Sequence, residues 1–331
     1  MTKRYISELN AADRTKDVND SSFTIACGDV PEKKDGINIL ALGDVGSTVL
    51  LGLRLLGGET AGTIGIYDLD EKVMRRFERE MNQIRFPDGR YLPPVRIGNE
   101  DSMFDCRMFV FCASRGVPPV GAKGDVRMAQ LEANSSLVDI YARRAAEKGF
   151  KGIFAVVSDP VDPLCMAAVK GGLRPEQVQG YGLGVMNGRA EYYSEKHERF
   201  SSYIKEGRAF GPHGGDLVIA NSIENYDDGV SRELTELTVG ANMEMRSDGF
   251  KPYIAPAMSS GAISLTETLK GGWNYSSVYL GSGREGAFLG CRNRRIVKDG
   301  VNIIEVENLP LPEELFGRIR HAYDNLKEMI P

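Results

Sequence analysis

ILALGDVGSTV, residues 39–49, decides the fold. The run Ile37–Leu42 is apolar except at Asn38, as in a strand buried on both faces. It stops at Gly43 and Gly46, and Val49–Leu56 then reads as a helix. Small residues at Ala41, Gly43 and Gly46 match the spacing G-x-G-x-x-G with Ala in the first place. Between strand and helix, Gly43 would let the backbone approach a pyrophosphate, whose charge would sit at the helix N-terminus with Asp44 and Val45. Gly46 would let the helix pack close to the strand. Glycine-rich turns after strands are common, so the turn alone is weak evidence.

The surroundings strengthen it. A second strand, Thr63–Tyr67, ends at Asp68, about 25 residues beyond Gly43. A carboxylate there accepts hydrogen bonds from an adenosine ribose and repels a 2′-phosphate, which favours NAD over NADP. The plainer alternative is that Asp68 caps the helix beginning near Asp70. A charged amphipathic helix follows over Glu71–Ile84, a third strand over Met108–Cys112, a long helix over Arg127–Lys148 and another buried strand over Gly152–Val157. Strands alternating with helices imply parallel pairing and a doubly wound α/β sheet of Rossmann type.

Outside this unit the pattern changes. Residues 1–36 are polar and mixed, and read as an N-terminal arm that packs on a neighbour or frays; 37–180 form the Rossmann domain. Residues 181–331 read as an α+β substrate domain. It has a helix around Asn187–Tyr203, a helical region from Ser231 interrupted near Pro252 and Pro256, short strands at Ser276–Leu280 and Ala287–Ile304, and a closing helix Glu313–Met329. On that last helix Leu315, Phe316, Ile319, Tyr323 and Leu326 share one face.

Composition bounds the function. The chain has 331 residues, of which 42% are hydrophobic and 26% charged, an ordinary globular balance. A net charge of -5 gives no basic stripe for nucleic acid. No run approaches the roughly 18 apolar residues of a membrane span, and the first residues lack the apolar core of a signal peptide. Five scattered cysteines form no CxxC pair, which suggests neither a disulfide framework nor a zinc site, and reduced thiols in a cytoplasm are the simpler reading.

Among three histidines, His197 lies amid charged residues on a helix and His321 beside Arg320 in the closing helix. His213 alone sits in a Gly-flanked bend, where a side chain can project into a cleft. Imidazole both donates and accepts a proton at neutral pH. Oxidising an alcohol needs such a base as hydride leaves. A purely structural turn histidine is the alternative.

Several stretches resemble the lactate/malate dehydrogenase family, from about Ile37 to the C-terminus. DVRMAQLEANSSLV resembles the family's Arg-x-x-Leu-x-x-x-Asn helix start, with Arg127 in the place of the mobile-loop arginine. VVSDPVDPL resembles its Ser-Asn-Pro-Val-Asp turn, and GPHGGDLV its Gly-x-His-Gly-Asp segment with His213 as the acid/base. The resemblance implies an NAD-dependent dehydrogenase of hydroxy acids, a homo-oligomer (dimer or tetramer), and cofactor contacts from Cys112 and Ser158 besides the glycine turn. It also implies that Arg127 polarises the substrate carbonyl from a closing loop. The loop before it, RGVPPVGAKGDV, is longer than the family's and suggests a reshaped lid. Without the motif, Arg127 reads as a surface charge.

Two departures stand out. The family has an Asp followed three residues later by an Arg, the first orienting the imidazole and the second clamping the substrate carboxylate. Here the text is GLGVMNGRAEYY. If Asn187 takes the acid's place, Ala190 occupies the clamp; if Arg189 is the clamp, Met186 falls where the acid should be. Glu191, one turn beyond Asn187, could restore a carboxylate. The second departure is Asp159, where the family has Asn beside substrate and nicotinamide. An ionised carboxylate cannot donate to a substrate oxygen, so Asp159 receives an amine or hydroxyl, is protonated, or caps a helix before Pro160. The expectation is a dehydrogenase with an altered pocket. Its alternatives are a relative for a different, amine-bearing substrate, or a sensor or interaction protein that binds NAD and has lost turnover.

Overall fold

The computed structural model describes residues 3–10, 21–29, 36–115, 126–282 and 285–329. The first half alternates strand and helix in the order β1 (Ser22–Asp29), β2 (Gly36–Leu40), α1 (Asp44–Leu56), β3 (Thr63–Tyr67), α2 (Glu71–Gln83), β4 (Val95–Ile97) and β5 (Met108–Phe111). Then come α3 (Val126–Glu147), β6 (Ile153–Val156), α4 (Val161–Lys170) and β7 (Val178–Gly180). Six of these strands lie side by side as β7-β6-β5-β2-β3-β4, all parallel. Counted from β2, this is the doubly wound order 3-2-1-4-5-6, which reverses direction between β2 and β5. Ligands in such sheets bind outside the carboxyl ends of the strands at that reversal.

The strands are apolar on both faces because helices cover both. On one side Ile37 and Ile39 of β2 and Ile64 and Ile66 of β3 pack with Val49 and Leu53 of α1. On the other, Phe109, Phe111 and Phe154 pack against Val138 of α3 and Leu164 of α4. Helix α2 starts where Asp70 accepts the Lys72 N–H at 2.8 Å. Its last turn is finished by Arg54, fully buried in α1, which donates to the carbonyls of Met81, Ile84 and Pro93. A cation on these carbonyls also meets the negative end of α2.

The second half contains α5 (Leu183–Lys196), α6 (Tyr203–Glu206), β8 (Arg208–Phe210), β9 (Val218–Ala220) and α7 (Asp228–Ser247). A π-helical stretch, Pro256–Ile263, runs into α8 (Ser264–Lys270), followed by β10 (Asn274–Ser282), β11 (Glu285–Lys298), β12 (Val301–Glu307) and α9 (Glu313–Glu328). Strands β10, β11 and β12 form an antiparallel meander joined to the parallel sheet where Ser277 pairs with Gly180. The two halves thus share one ten-stranded sheet.

Three expectations change. Part of the polar N-terminal arm is the strand β1, which pairs antiparallel with β12 of its own chain from Ser22↔Glu307. Its alternation places Phe23, Ile25 and Cys27 on the α9 core. The strand read over Ala287–Ile304 is two strands, joined where Asp299 and Gly300 both adopt positive φ (53° and 76°), the conformation an Asp-Gly hairpin turn requires. The helix expected from Asn187 to Tyr203 begins four residues earlier, at Leu183, and ends at Lys196.

Candidate active site

The glycine turn follows β2 at the carboxyl end of the sheet. Ala41 carries the left-handed φ of 71°, a conformation that glycine adopts without cost. Its carbonyl lies only 1.9 Å from where a Cβ on Gly46 would stand, and the side chain of Cys112 is 3.2 Å from the same point. Gly46 is therefore required by the close approach of α1 to the turn. Gly43 is different: it is exposed at the head of α1, and a Cβ there would meet nothing within 4 Å among the described residues. Among those residues the space above Gly43 is open to a ligand, and the helix N-terminus faces it. Asp44, also exposed, pairs with Lys251 at 3.1 Å; Val45 is half-buried against the β2–α1 core.

Asp68 does not cap α2, a task taken by Asp70. Its Oδ2 accepts the N–H of Leu42 inside the glycine turn at 2.7 Å, and its Oδ1 accepts the N–H of Asp70 at 3.0 Å. A carboxylate has about four lone-pair sites, so both oxygens retain capacity for ribose hydroxyls. Cys112 abuts Gly46 at the end of β5; burial pushes its thiol up to about 12 and keeps it neutral. The Ser158 hydroxyl is buried and donates to the Ala113 carbonyl at 2.8 Å, so it ties the ends of β5 and β6 together.

Beyond β6 the chain turns through Asp159 and Pro160 into α4. The Asp159 carbonyl accepts the side-chain amide of Asn134 at 2.8 Å, and the same amide's oxygen accepts the Arg115 N–H at 3.0 Å. Asn134 is fully buried and so fixes where this turn sits. His213 reaches it from the loop between β8 and β9. There Gly211 takes a φ of 92° while its N–H donates to the Gly290 carbonyl. The imidazole lies over Gly182, whose missing Cβ would stand 2.8 Å from the His213 Cβ. His213 Nδ1 lies 3.2 Å from Asp159 Oδ1, with the imidazole side chain 11% exposed and the carboxylate 54%.

Both residues line a cavity of about 460 Å³, with Asp162, Asp216, Met186 and Asn242 on its walls. Asp162 is buried, and its Oδ1 has no hydrogen-bond partner among the described residues. Burial raises its carboxyl to about 6, against smaller lowering effects from Ser277 and from the charge of His213.

Helix α5 turns the side chains of Met186 and Asn187 to different surroundings. Met186 lines the cavity. Arg189, half-buried, donates to Asn242 Oδ1 and approaches Met186 Sδ at 3.5 Å, both on the cavity wall. Asn187 is turned about 100° away from Met186. Its amide oxygen accepts the Tyr203 hydroxyl at 2.8 Å and its nitrogen donates to Glu191 at 3.1 Å. The assignment of Asn187 as a partner of His213 is corrected on this geometry, and Glu191, on the same face, goes with it. The backbone of Arg127 lies in the first turn of α3; its side chain and the proposed lid over 116–125 fall outside the described residues.

Sheet order, glycine turn and an acid at the end of the second strand define the class: a Rossmann-type α/β protein with an α+β substrate half. No family model matches the chain. It is 30% identical over 198 residues to the L-lactate dehydrogenase of Treponema denticola, covering 58% of this chain and 59% of that one. It is 26% identical over 183 residues to that of Staphylococcus saprophyticus, covering 55% of each. The chain thus spans little more than half the length of these curated relatives. In fold, a lactate dehydrogenase from a Medee basin deep-sea metagenome superposes with a TM-score of 0.72 at 19% identity, covering 89% of this chain and 98% of that one. The malate dehydrogenase of Archaeoglobus fulgidus in complex with NADH gives 0.70 at 18% identity, with the same coverage. The chain therefore has the lactate/malate dehydrogenase fold, and its resemblance to that family, first read from motifs, holds in sequence and in structure.

Proposed function

We propose that this chain is an NAD-dependent oxidoreductase that interconverts a small hydroxy acid and its keto acid, working as a cytoplasmic homo-oligomer. The observation that carries the reading is His213, held over Gly182 at the same end of the sheet as the glycine turn. Asp159 follows β6 and the glycine turn follows β2, two strand spacings or roughly 10 Å apart across the sheet. A dinucleotide laid along the carboxyl ends of the strands spans that distance.

The residues fit the cofactor: an open cradle at Gly43, a helix N-terminus behind it, and an acid at Asp68. NAD would supply the hydride acceptor at its nicotinamide ring. His213 Nε2 would take the hydroxyl proton as the C–H bond gives up its electron pair, and would return it in the reverse direction. Arg189 would hold the substrate carboxylate, and Arg127 would polarise the carbonyl. The cavity's described lining carries three carboxyl groups, with the Arg189 cation set behind Met186 and Asn242 instead of on the wall itself, which supports a second reading in which the substrate bears an amine.

The test is NADH absorbance after mixing the chain, NAD and a panel of 2-hydroxy acids with and without amino groups. Turnover of at least one, falling about 10²–10⁴-fold in His213→Asn, is expected. Tight NADH binding with no turnover across the panel would overturn the dehydrogenase reading and leave a nucleotide-binding sensor.

A further inference from the structure

We propose that Asp159 is the positioning carboxylate of His213, doing from the β6–α4 turn what an acid on α5 does in the family this chain resembles. The inference rests on the acid/base role proposed for His213, and it adds which group sets that imidazole's tautomer and charge.

Four observations meet. His213 Nδ1 faces Asp159 Oδ1 at 3.2 Å. The helical position from which an acid would reach the ring is Met186, a neutral thioether on the cavity wall. The nearby polar groups of α5, Asn187 and Glu191, are turned to each other and to Tyr203. Asp159 is held by its main chain, through the buried amide of Asn134, which fixes the point from which its carboxylate reaches the imidazole.

An ionised carboxylate on Nδ1 favours the tautomer that carries its proton there. Nε2 is then left with a free lone pair for the substrate hydroxyl. When Nε2 takes that proton, the ring becomes a cation with Asp159 as its counter-charge, and Asp159 itself stays ionised. Other charges bear on the pair: Asp162 lies beneath it on α4, Asp216 is on the His213 loop, and the Arg189 cation of α5 attracts Asp159. The pairing also accounts for the second departure in the sequence. With Asp159 committed to the imidazole, the substrate loses the amide donor that Asn supplies elsewhere.

Asp159→Asn tests this, because it keeps size and backbone and restores the family's amide. The first readout needs no turnover: ring nitrogen NMR of the apo protein, with His213 assigned by loss of its signals in His213→Asn. The Nδ1–H tautomer is expected to fall in Asp159→Asn. The second readout is kcat/KM on the best substrate of the panel. A loss of about 10²–10⁴-fold is expected, by analogy with the serine-protease triad. Unchanged ring signals, or a faster Asp159→Asn enzyme on 2-hydroxy acids, would overturn the proposal and return Asp159 to the substrate. Shifted ring signals without turnover in either protein would support the pairing while removing the dehydrogenase reading.

Discussion

The two ends of the candidate site are built in different ways. Around Gly43 the binding chemistry belongs to the backbone: a left-handed Ala41, a close approach at Gly46, and N–H groups at the head of α1. Around His213 it belongs to side chains brought from β6–α4, α5 and the β8–β9 loop, with Asn134 and Gly182 holding them from behind. A backbone site is specified by a short run of residues. A side-chain site depends on which way a helix is rotated, and one position changes the answer.

The glycine turn gives the sharpest way to break this contrast. In Gly46→Ala the added Cβ meets the Ala41 carbonyl oxygen at 1.9 Å, a backbone atom that cannot swing aside. A loss of roughly 4 kcal/mol in unfolding free energy is expected, read by denaturant titration. Gly43→Ala, three residues away, meets nothing within 4 Å among the described residues. Its stability should change by less than about 0.5 kcal/mol, while NADH affinity falls about tenfold or more, because the carbon fills the ligand's place. Equal effects on folding from both variants would remove the distinction between a packing glycine and a cradle glycine.

The substrate half has its own signature in pH. Burial raises the Asp162 carboxyl from its ordinary 3.8 to about 6. A raised carboxyl favours the fold below its unfolded value, and that stability is lost as pH climbs from about 4 through 6. Two units at about 1.4 kcal/mol each amount to about 3 kcal/mol. Asp162→Asn should therefore be more stable than the parent at neutral pH, by up to that amount, with the two converging near pH 4. A parallel offset at every pH would mean that Asp162 is not a buried titrating group.

A smaller effect is expected at Asp68. Asp68→Ala removes the group that would accept from the ribose, and it also frees the Leu42 N–H. NAD affinity should fall about tenfold and the preference over NADP should narrow, at about 1–3 kcal/mol for a charged hydrogen bond. An unchanged cofactor preference would leave Asp68 as a purely structural tie within the turn.

Much of the first half was legible in sequence because its signals are local. Apolar runs, a glycine spacing and an acid after the second strand lie close together in the chain, and β3 falls on Thr63–Tyr67 as read. His213 was also legible, from the rarity of histidine and the glycines around it. What escaped was long-range. Phe23, Ile25 and Cys27 alternate as a strand does, but their partner β12 lies nearly 280 residues away. The Asp-Gly at 299–300 was a local signal passed over. The His213–Asp159 contact could not be read from either segment alone, since it joins turns 54 residues apart. The family pattern drew attention to Asn187, whereas its side chain faces Tyr203.

In the proposed reaction, hydride passes between a substrate carbon and nicotinamide while His213 handles the proton. Deuterium placed on the hydroxyl-bearing carbon of the best substrate tests it directly, with NMR of the reduced cofactor as the readout. The label is expected at C4 of the nicotinamide, and its rate of appearance should collapse in His213→Asn. Deuterium released to water instead, or delivered equally fast by His213→Asn, would contradict the account.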